Sequence, residues 1–435
     1  MDKRLALISE HASPLATVGG IDAGGQNIAV AELAKELARL GFTVDVFTRC
    51  CSPAEPEIVH WHPRIRVIQI TAGAQRCLPK EDLLPHMDEF ARNMSLFIRK
   101  QSLTYSVIHA HFFMSGLVAI QLKQEYRIPF VITFHALGLV RRLSQGSSDG
   151  FPIERTRLEQ RIMQEADGIV ALCPQDSDDL LKLYGADAQK ITIIPNGYNP
   201  QDFFPIRQEL ARQTLNLNAE EPLLLQLGRM VPRKGVDNVI RALSLLLQRH
   251  GIAARLLVVG GDSRNPDPVL TPEIGRLQQL ATDLGVAQLV TFTGSRNRDE
   301  LRHYYSAADV FVTTPWYEPF GITPLEAMAC GTPVVGAAVG GIKHTVLLNK
   351  TGFLVPPNDP SALAEKLAVL ITNKALRQRY SQQAIKHVKE GYTWARVAQQ
   401  TADLYDLITN GRIRKSIRRR TAEHQAASLQ MPEMP

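Results

Sequence analysis

A chain of 435 residues has room for two or three domains with large cores, at roughly 150 residues each, which excludes a disulfide-stapled module. With 45% hydrophobic and 21% charged residues, and no apolar run near the roughly 18 to 20 residues of a membrane helix, the composition is that of a soluble globular protein. The net charge of +6 does not mark a nucleic-acid groove, because Arg412, Arg414, Lys415, Arg418, Arg419 and Arg420 account for all of it in one acid-free run.

Leu5 to Ile8 opens the chain as a strand, too short an apolar stretch for a secretory signal. Five cysteines without a Cys-x-x-Cys pair suit a reducing compartment, so a cytoplasmic protein with free thiols is expected. Further apolar runs at Val44 to Thr48, Ile65 to Ile70, Val107 to Ala110, Phe130 to Phe134, Ile169 to Cys173 and Ile191 to Ile194 alternate with helix-period segments. After Pro195-Asn196-Gly197 the segment to about Glu221, punctuated by Pro200 and Pro205 and closed by Pro222, reads as a linker. Strands then resume at Leu223 to Leu227, Arg255 to Val259, Leu289 to Thr293, Val310 to Thr314, Pro333 to Ala337 and Phe353 to Val355. Buried strands alternating with helices predict an α/β chain of two doubly wound Rossmann-like domains, residues 1–200 and 201–390, facing across a cleft. A last helix over residues 391–411 is expected to pack back across them, and residues 412–435 form a basic tail.

The glycines exclude two nucleotide-binding loops. None of the 29 is followed by another two positions on, and no Gly-Lys pair completes a phosphate loop of the NTPase type. Instead Gly24 and Gly25 precede the helix Gln26 to Leu40, where backbone N–H groups can approach an anion at the positive helix end.

The second domain carries the denser signal. Arg229 and Lys234 lie on the loop after the strand Leu223 to Leu227, a position from which two cations can grip a diphosphate from adjacent sides. Glu318 and Glu326 follow the strand Val310 to Thr314, one before and one inside a helix expected to begin at Gly321. Carboxylates accept hydrogen bonds from sugar hydroxyls and helix-start amides bind phosphate. Two acids near a helix start are also ordinary complements of its dipole. Asp176-Ser177-Asp178 has the look of a metal motif, but it opens a helix predicted from Asp178, where capping accounts for it.

With Gly331-Thr-Pro-Val-Val behind it, Glu318-Pro-Phe-Gly-Ile-Thr-Pro-Leu-Glu326 resembles the Glu-x7-Glu region of glycosyltransferase family 4, retaining enzymes of the two-domain GT-B architecture. Gly24-Gly25, His135 in Thr-Phe-His-Ala-Leu-Gly, and Gly228-Arg229 with Lys234 stand in that family's order. The resemblance implies that Arg229 and Lys234 hold the donor diphosphate, Glu326 the ribose, and Glu318 the transferred sugar. The amides of Phe320, Gly321, Ile322 and Thr323 complete the cradle, and His135 lies near the anomeric centre. It implies a nucleotide-diphosphate sugar as co-substrate, UDP-glucose or a relative, with no tightly bound cofactor, no metal and no protein nucleophile.

Gly-Gly-Gln-Asn at 24 to 27, Leu-Pro-Lys-Glu-Asp-Leu around Lys80 and His109-Ala-His-Phe112 are similar to sucrose-phosphate synthases and inositol-phosphate N-acetylglucosaminyltransferases. Lys80 and Arg155 are then expected to hold an acceptor phosphate beside Phe112. Phe112 replaces a tyrosine and Ala136 a small hydroxyl residue, which leaves the acceptor open: a sugar or polyol phosphate, an unphosphorylated compound, or a lipid approached through the basic tail. A nucleotide-sugar epimerase or a non-catalytic sugar-nucleotide binder fits the same architecture.

Overall fold

The computed structural model describes residues 3–16, 24–146 and 150–411. The first domain runs β1 (Arg4–Ile8), α1 (Gly25–Arg39), β2 (Thr43–Arg49), β3 (Ile58–His62), β4 (Ile65–Ile70), α2 (Met87–Lys100), β5 (Val107–His111) and α3 (Phe113–Tyr126). It continues through β6 (Phe130–Thr133), α4 (Gly138–Gln145), α5 (Arg155–Glu165), β7 (Gly168–Ala171), α6 (Pro174–Tyr184) and β8 (Ile191–Ile193). The second begins with α7 (Gln208–Thr214), β9 (Leu223–Leu227), α8 (Val236–His250), β10 (Arg255–Val259), α9 (Pro272–Asp283), β11 (Val290–Gly294) and α10 (Arg298–Ala307). Then come β12 (Val310–Thr313), α11 (Ile322–Ala329), β13 (Val334–Ala337), α12 (Ile342–Thr345), β14 (Gly352–Val355), α13 (Pro360–Thr372), α14 (Lys374–Gly391) and α15 (Trp394–Thr409).

The first sheet has the order β3-β4-β2-β1-β5-β6-β7-β8, parallel except for β3. The second, β11-β10-β9-β12-β13-β14, is parallel throughout. Parallel strands covered on both faces read as unbroken apolar runs, and each face feeds a different core. Leu5 and Leu7 of β1 point one way while Ala6 and Ile8 point the other. Leu223 and Leu225 of β9 likewise oppose Leu224. The order of each sheet reverses once, between β1 and β5 and between β9 and β12, and ligands bind in the crevices that such reversals open at strand carboxyl ends.

One core is shared by the domains, running from Leu5, Val30 and Val44 through Leu223 and Phe311 to Trp394, Leu404 and Tyr405 of α15. Helix α15 lies on the first domain, where the Tyr405 hydroxyl meets His109 Nδ1 at 2.7 Å and Asp406 pairs with Lys3 at 2.6 Å. Its start is clasped by the connecting segment: Tyr198 N–H donates to Tyr392 O at 2.8 Å and Trp394 N–H to Tyr198 O at 3.2 Å.

Three elements depart from expectation. The proline-punctuated linker contains α7, seven residues fastened by the buried Arg212, whose Nη2 pairs with Asp309 Oδ2 at 2.8 Å. Strand β3 is an antiparallel, half-exposed edge whose apolar residues form no continuous run. Helix α6 starts at Pro174 rather than Asp178. The basic run Arg412 to Arg420 falls outside the described residues. No described helix is long and apolar enough to cross a membrane.

A Cβ on Gly197 would stand 2.7 Å from the backbone nitrogen of Trp394, with Thr393 C at 2.9 Å. Both obstacles are main chain, so Gly197→Ala is expected to lower unfolding free energy by about 1–3 kcal/mol, measured by urea denaturation; a change near zero would show that the clasp yields without cost.

Candidate functional site

The reversals of the two sheets face each other across a cavity of about 810 Å³. Its walls include Gly24, Gly25, Lys80, Phe112 and His135 from the first domain, and Arg229, Lys234, Glu318, Phe320, Gly321, Ile322, Thr323 and Glu326 from the second. The domains come close at the glycine pair: a Cβ on Gly24 would lie 3.9 Å from Arg229 Cζ, and one on Gly25 3.7 Å from Ile322 Cδ1. Both residues sit at the amino end of α1, where Gly24 N–H donates to Asn27 Oδ1 at 2.9 Å and no side chain caps the helix. The N–H groups of the first turn therefore open toward the cleft.

On the facing wall, the loops after β9 and β12 are laced together. Arg233 Nη1 donates to Tyr317 O at 3.1 Å and Trp316 N–H to Arg233 O at 3.0 Å. Gly235 makes the approach possible: it is left-handed at φ 67°, and a Cβ there would stand 2.0 Å from Thr314 O. The lacing brings Lys234 Nζ into an ion pair with Glu318 Oε2. Burial pushes the Lys234 ammonium pKa down, with Arg233 and Arg229 adding to the shift and Glu318 opposing it. Burial alone raises Glu318, but Lys234, Arg233 and Arg229 outweigh it and hold the carboxylate below its usual range. Among the described residues, the fields of Lys234, Arg233 and Arg229 thus converge on one carboxylate, a local bias suited to an anionic ligand.

Eight residues on, Glu326 is buried in α11. It accepts from Arg298 Nη1 at 3.0 Å and from the Tyr305 hydroxyl at 2.9 Å. Burial raises its pKa against the pull of Arg298. Two bonds leave lone pairs on a carboxylate for further donors such as vicinal hydroxyls. Gly321 caps α11 at φ 90° without a side-chain bond, so the first amides of that helix face the cavity.

Arg298 is a residue that sequence reasoning missed. Besides Glu326 it reaches Asp202 Oδ2 at 3.4 Å and lies over the Phe203 ring at 4.8 Å, joining the site to the connecting segment. It stands 28 positions from Glu326, and no local pattern announces the pair. His11, Asn27, Asn196, Arg141 and Arg233 also line the cavity unforeseen. Arg141 carried a faint signal, following His135 on the helix that the His-Ala-Leu-Gly stretch opens.

His135, two residues past the end of β6, is left-handed at φ 57°, its Nε2 3.0 Å from His111 Nδ1. Burial, then its neighbour His11, pushes its pKa down to about 3. Phe112, also at positive φ (81°), presents its ring to His11 at 5.0 Å. Non-glycine residues at positive φ are costly, and such strain collects where a site fixes its groups.

Arg155 is not on the cavity wall. It is 1% exposed, at the start of α5, with Nε bonded to Glu159 Oε1 at 2.8 Å. Its guanidinium lies 4.6 to 4.8 Å from the rings of Phe112, Phe113 and Phe151. The sequence expectation placed this cation against a ligand; the structure spends its charge on an ion pair four residues along the same helix. Lys80 and Arg141 are the basic side chains that reach the cavity on this side, both approaching Glu81 Oε1, at 3.8 and 3.6 Å.

The acidic pair in α6 has other duties. Asp176 Oδ2 accepts from Leu172 N–H at 2.8 Å, and burial pushes the Asp176 pKa up to about 7. Asp178 pairs with Lys182 at 2.8 Å. Among the described residues no three His, Cys, Asp or Glu side chains are grouped to hold a metal ion.

Because Glu159 also accepts from Gly138 N–H and the Tyr184 hydroxyl, Glu159→Leu would strand a buried guanidinium. The expected loss is about 3–5 kcal/mol in chemical unfolding; a loss below about 1 kcal/mol, the range of exposed pairs, would show that Arg155 turns to another partner.

Comparison with known proteins places these features. A model described as Glycosyltransferase Family 4 matches residues 23–202, and one described as Glycosyl transferases group 1 matches residues 207–387. The D-inositol 3-phosphate glycosyltransferase of Corynebacterium efficiens is 35% identical over 96% of this chain and 98% of its own length. That of Kribbella flavida is 35% identical over 94% and 96%. A solved structure of sucrose-phosphate synthase from Thermosynechococcus elongatus is similar at a TM-score of 0.86, with 34% identity over 94% of this chain and all of that one. The fold of Anabaena HepE in complex with UDP-glucose is similar at a TM-score of 0.70, with 21% identity over 92% of this chain and 98% of that one.

Proposed function

The chain belongs to glycosyltransferase family 4 and is a glycosyltransferase of GT-B fold, and from that premise we propose that it moves a hexose, with retention, from a nucleotide-diphosphate sugar to a hydroxyl of a phosphorylated sugar or polyol in the cytoplasm. The observation that carries this reading is the charge arrangement of one cavity. Arg229, Lys234 and the first amides of α11 form an anion cradle, with Glu318 and Glu326 set to accept from hydroxyls at its two ends.

In this reading the diphosphate lies across Arg229 and Lys234. Its negative charge competes with Glu318 for the Lys234 ammonium and releases the carboxylate toward the sugar hydroxyls. Glu326, already steadied by Arg298 and Tyr305, takes the ribose. The bond from the anomeric carbon to the diphosphate oxygen then breaks, its electron pair passing to the diphosphate. Arg229, Lys234 and the α11 amides stabilise that charge as it develops, where preorganised donors act most strongly. The acceptor oxygen attacks from the side the leaving group vacates, and its proton passes to the departing diphosphate. The cations of this chain supply what a metal provides elsewhere, so no metal is required.

UDP-glucose is the donor we favour. A phosphorylated acceptor is supported by relatives named for inositol 3-phosphate and sucrose phosphate and by Lys80 and Arg141 on the first-domain wall.

Purified protein incubated with mixed nucleotide sugars and an acceptor panel including fructose 6-phosphate and inositol phosphate is expected to yield one product mass, unchanged by chelator, with the donor's anomeric configuration in its NMR spectrum. Nucleotide release independent of acceptor, or an inverted product, would overturn the reading. Lys234→Ala and Glu326→Ala are each expected to lose about 100-fold or more in kcat/KM while keeping native circular dichroism; full activity in both would remove them from the site.

A further inference from the structure

Strand β5 ends Val-Ile-His-Ala-His, and the period of two puts His109 and His111 on one face. Their rings stack with centroids 4.2 Å apart and 27° between planes; His135, from the end of β6, stacks on His111 at 5.2 Å and 28°. The three imidazoles form a column from α15 to the cavity. His109, at the far end, has both nitrogens occupied: Nδ1 meets the Tyr405 hydroxyl at 2.7 Å and Nε2 meets Thr133 Oγ1 at 2.8 Å. His135, at the near end, lines the cavity.

The middle ring decides what the near one presents. His111 is 2% exposed; its Nδ1 lies 3.0 Å from His135 Nε2, and its own Nε2 is buried without a hydrogen-bond partner. Burial first, and the adjacent imidazoles second, keep His111 uncharged. A neutral imidazole carries one proton. Placed on His111 Nε2, it would be a buried N–H with no acceptor; placed on Nδ1, it leaves only an unused lone pair, which interiors tolerate far better. The proton therefore belongs on Nδ1 and points at His135 Nε2, which must accept. A neutral His135 then carries its proton on Nδ1.

The geometry points to His111 as a positioning residue that fixes His135 in the Nδ1–H tautomer and so presents a donor, rather than a lone pair, to the ligand in the cleft. This matters for sugar transfer: a fixed N–H can hold a hydroxyl or ring oxygen of the donor sugar but cannot take a proton from the acceptor. The catalytic significance rests on the reading of the cavity as a sugar-transfer site; the tautomer itself does not.

The test uses full-length protein carrying ¹⁵N-histidine. Without any substrate, the long-range ¹H–¹⁵N spectrum at pH 7.5 is expected to show His135, identified by its loss in His135→Gln, with a protonated Nδ1 and a bare Nε2. His111→Leu should shift His135 toward a mixture of tautomers, whereas His111→Asn, whose amide N–H lies near the place of Nδ1–H, should restore the pattern. In the transfer assay His111→Leu is expected to lose roughly 10- to 100-fold in kcat with donor KM within about twofold, and His111→Asn to recover most of it. An Nε2–H pattern in the unsubstituted protein overturns the proposal whether or not any variant folds. So does equal impairment of the Asn and Leu variants. The predicted pattern in a protein that transfers no sugar to any acceptor would sink the sugar-transfer reading and leave the tautomer standing.

Discussion

The cleft is organised by the ion pair between Lys234 and Glu318. Arg233 and Arg229 add their fields to that of Lys234 and hold the half-buried Glu318 carboxylate below its usual range, and a recess with this local bias favours an anionic ligand. The lacing of the β9 and β12 loops through Arg233 and Gly235 brings the pair together. In the proposed reaction the diphosphate meets these cations, and the glycine pair opposite Arg229 adds no side chain to its path. The second carboxylate, Glu326, is held in place on the same wall by Arg298 and Tyr305.

The scaffold holds two independent sheets in register with each other by sharing a core. Helix α15 begins against the connecting segment and ends on the first domain, so its Trp394, Leu404 and Tyr405 belong to one apolar cluster with Leu5 and Leu223. Arg298 joins the same segment, through Asp202 and Phe203, to the buried Glu326. Any relative movement of the domains is thus felt at the carboxylate that meets the ribose in the proposed complex. The histidine column makes a second such link, since Tyr405 of α15 anchors the ring farthest from the cavity and His135 the one nearest it.

The first-domain wall differs in character. Its centre is aromatic where the second is cationic: Phe112 and His11 edge together, and Arg155 is withdrawn behind Phe112 into an ion pair with Glu159. Lys80 and Arg141 remain the basic side chains along it, sharing Glu81. The Arg155 guanidinium, buried among three rings, stands behind the cavity lining, and its ion pair with Glu159 ties it to the stability of the first domain.

The sequence by itself determined the strand order in time, the two-domain division and the clustering of Arg229, Lys234, Glu318 and Glu326 at strand ends. Buried parallel strands must be continuously apolar, and residues on one loop stay together in any fold. It did not reveal β3, an edge strand whose exposed positions break the apolar run, nor α7, a short helix held by the distant Asp309. Only the tertiary structure decided which charges are spent and which are offered. Arg155 and Arg298 look alike along the chain, yet one is enclosed by Glu159 and three rings while the other steadies Glu326. The difference lies in neighbours that arrive from separate elements once the sheets are ordered, and separation in sequence carries no record of them.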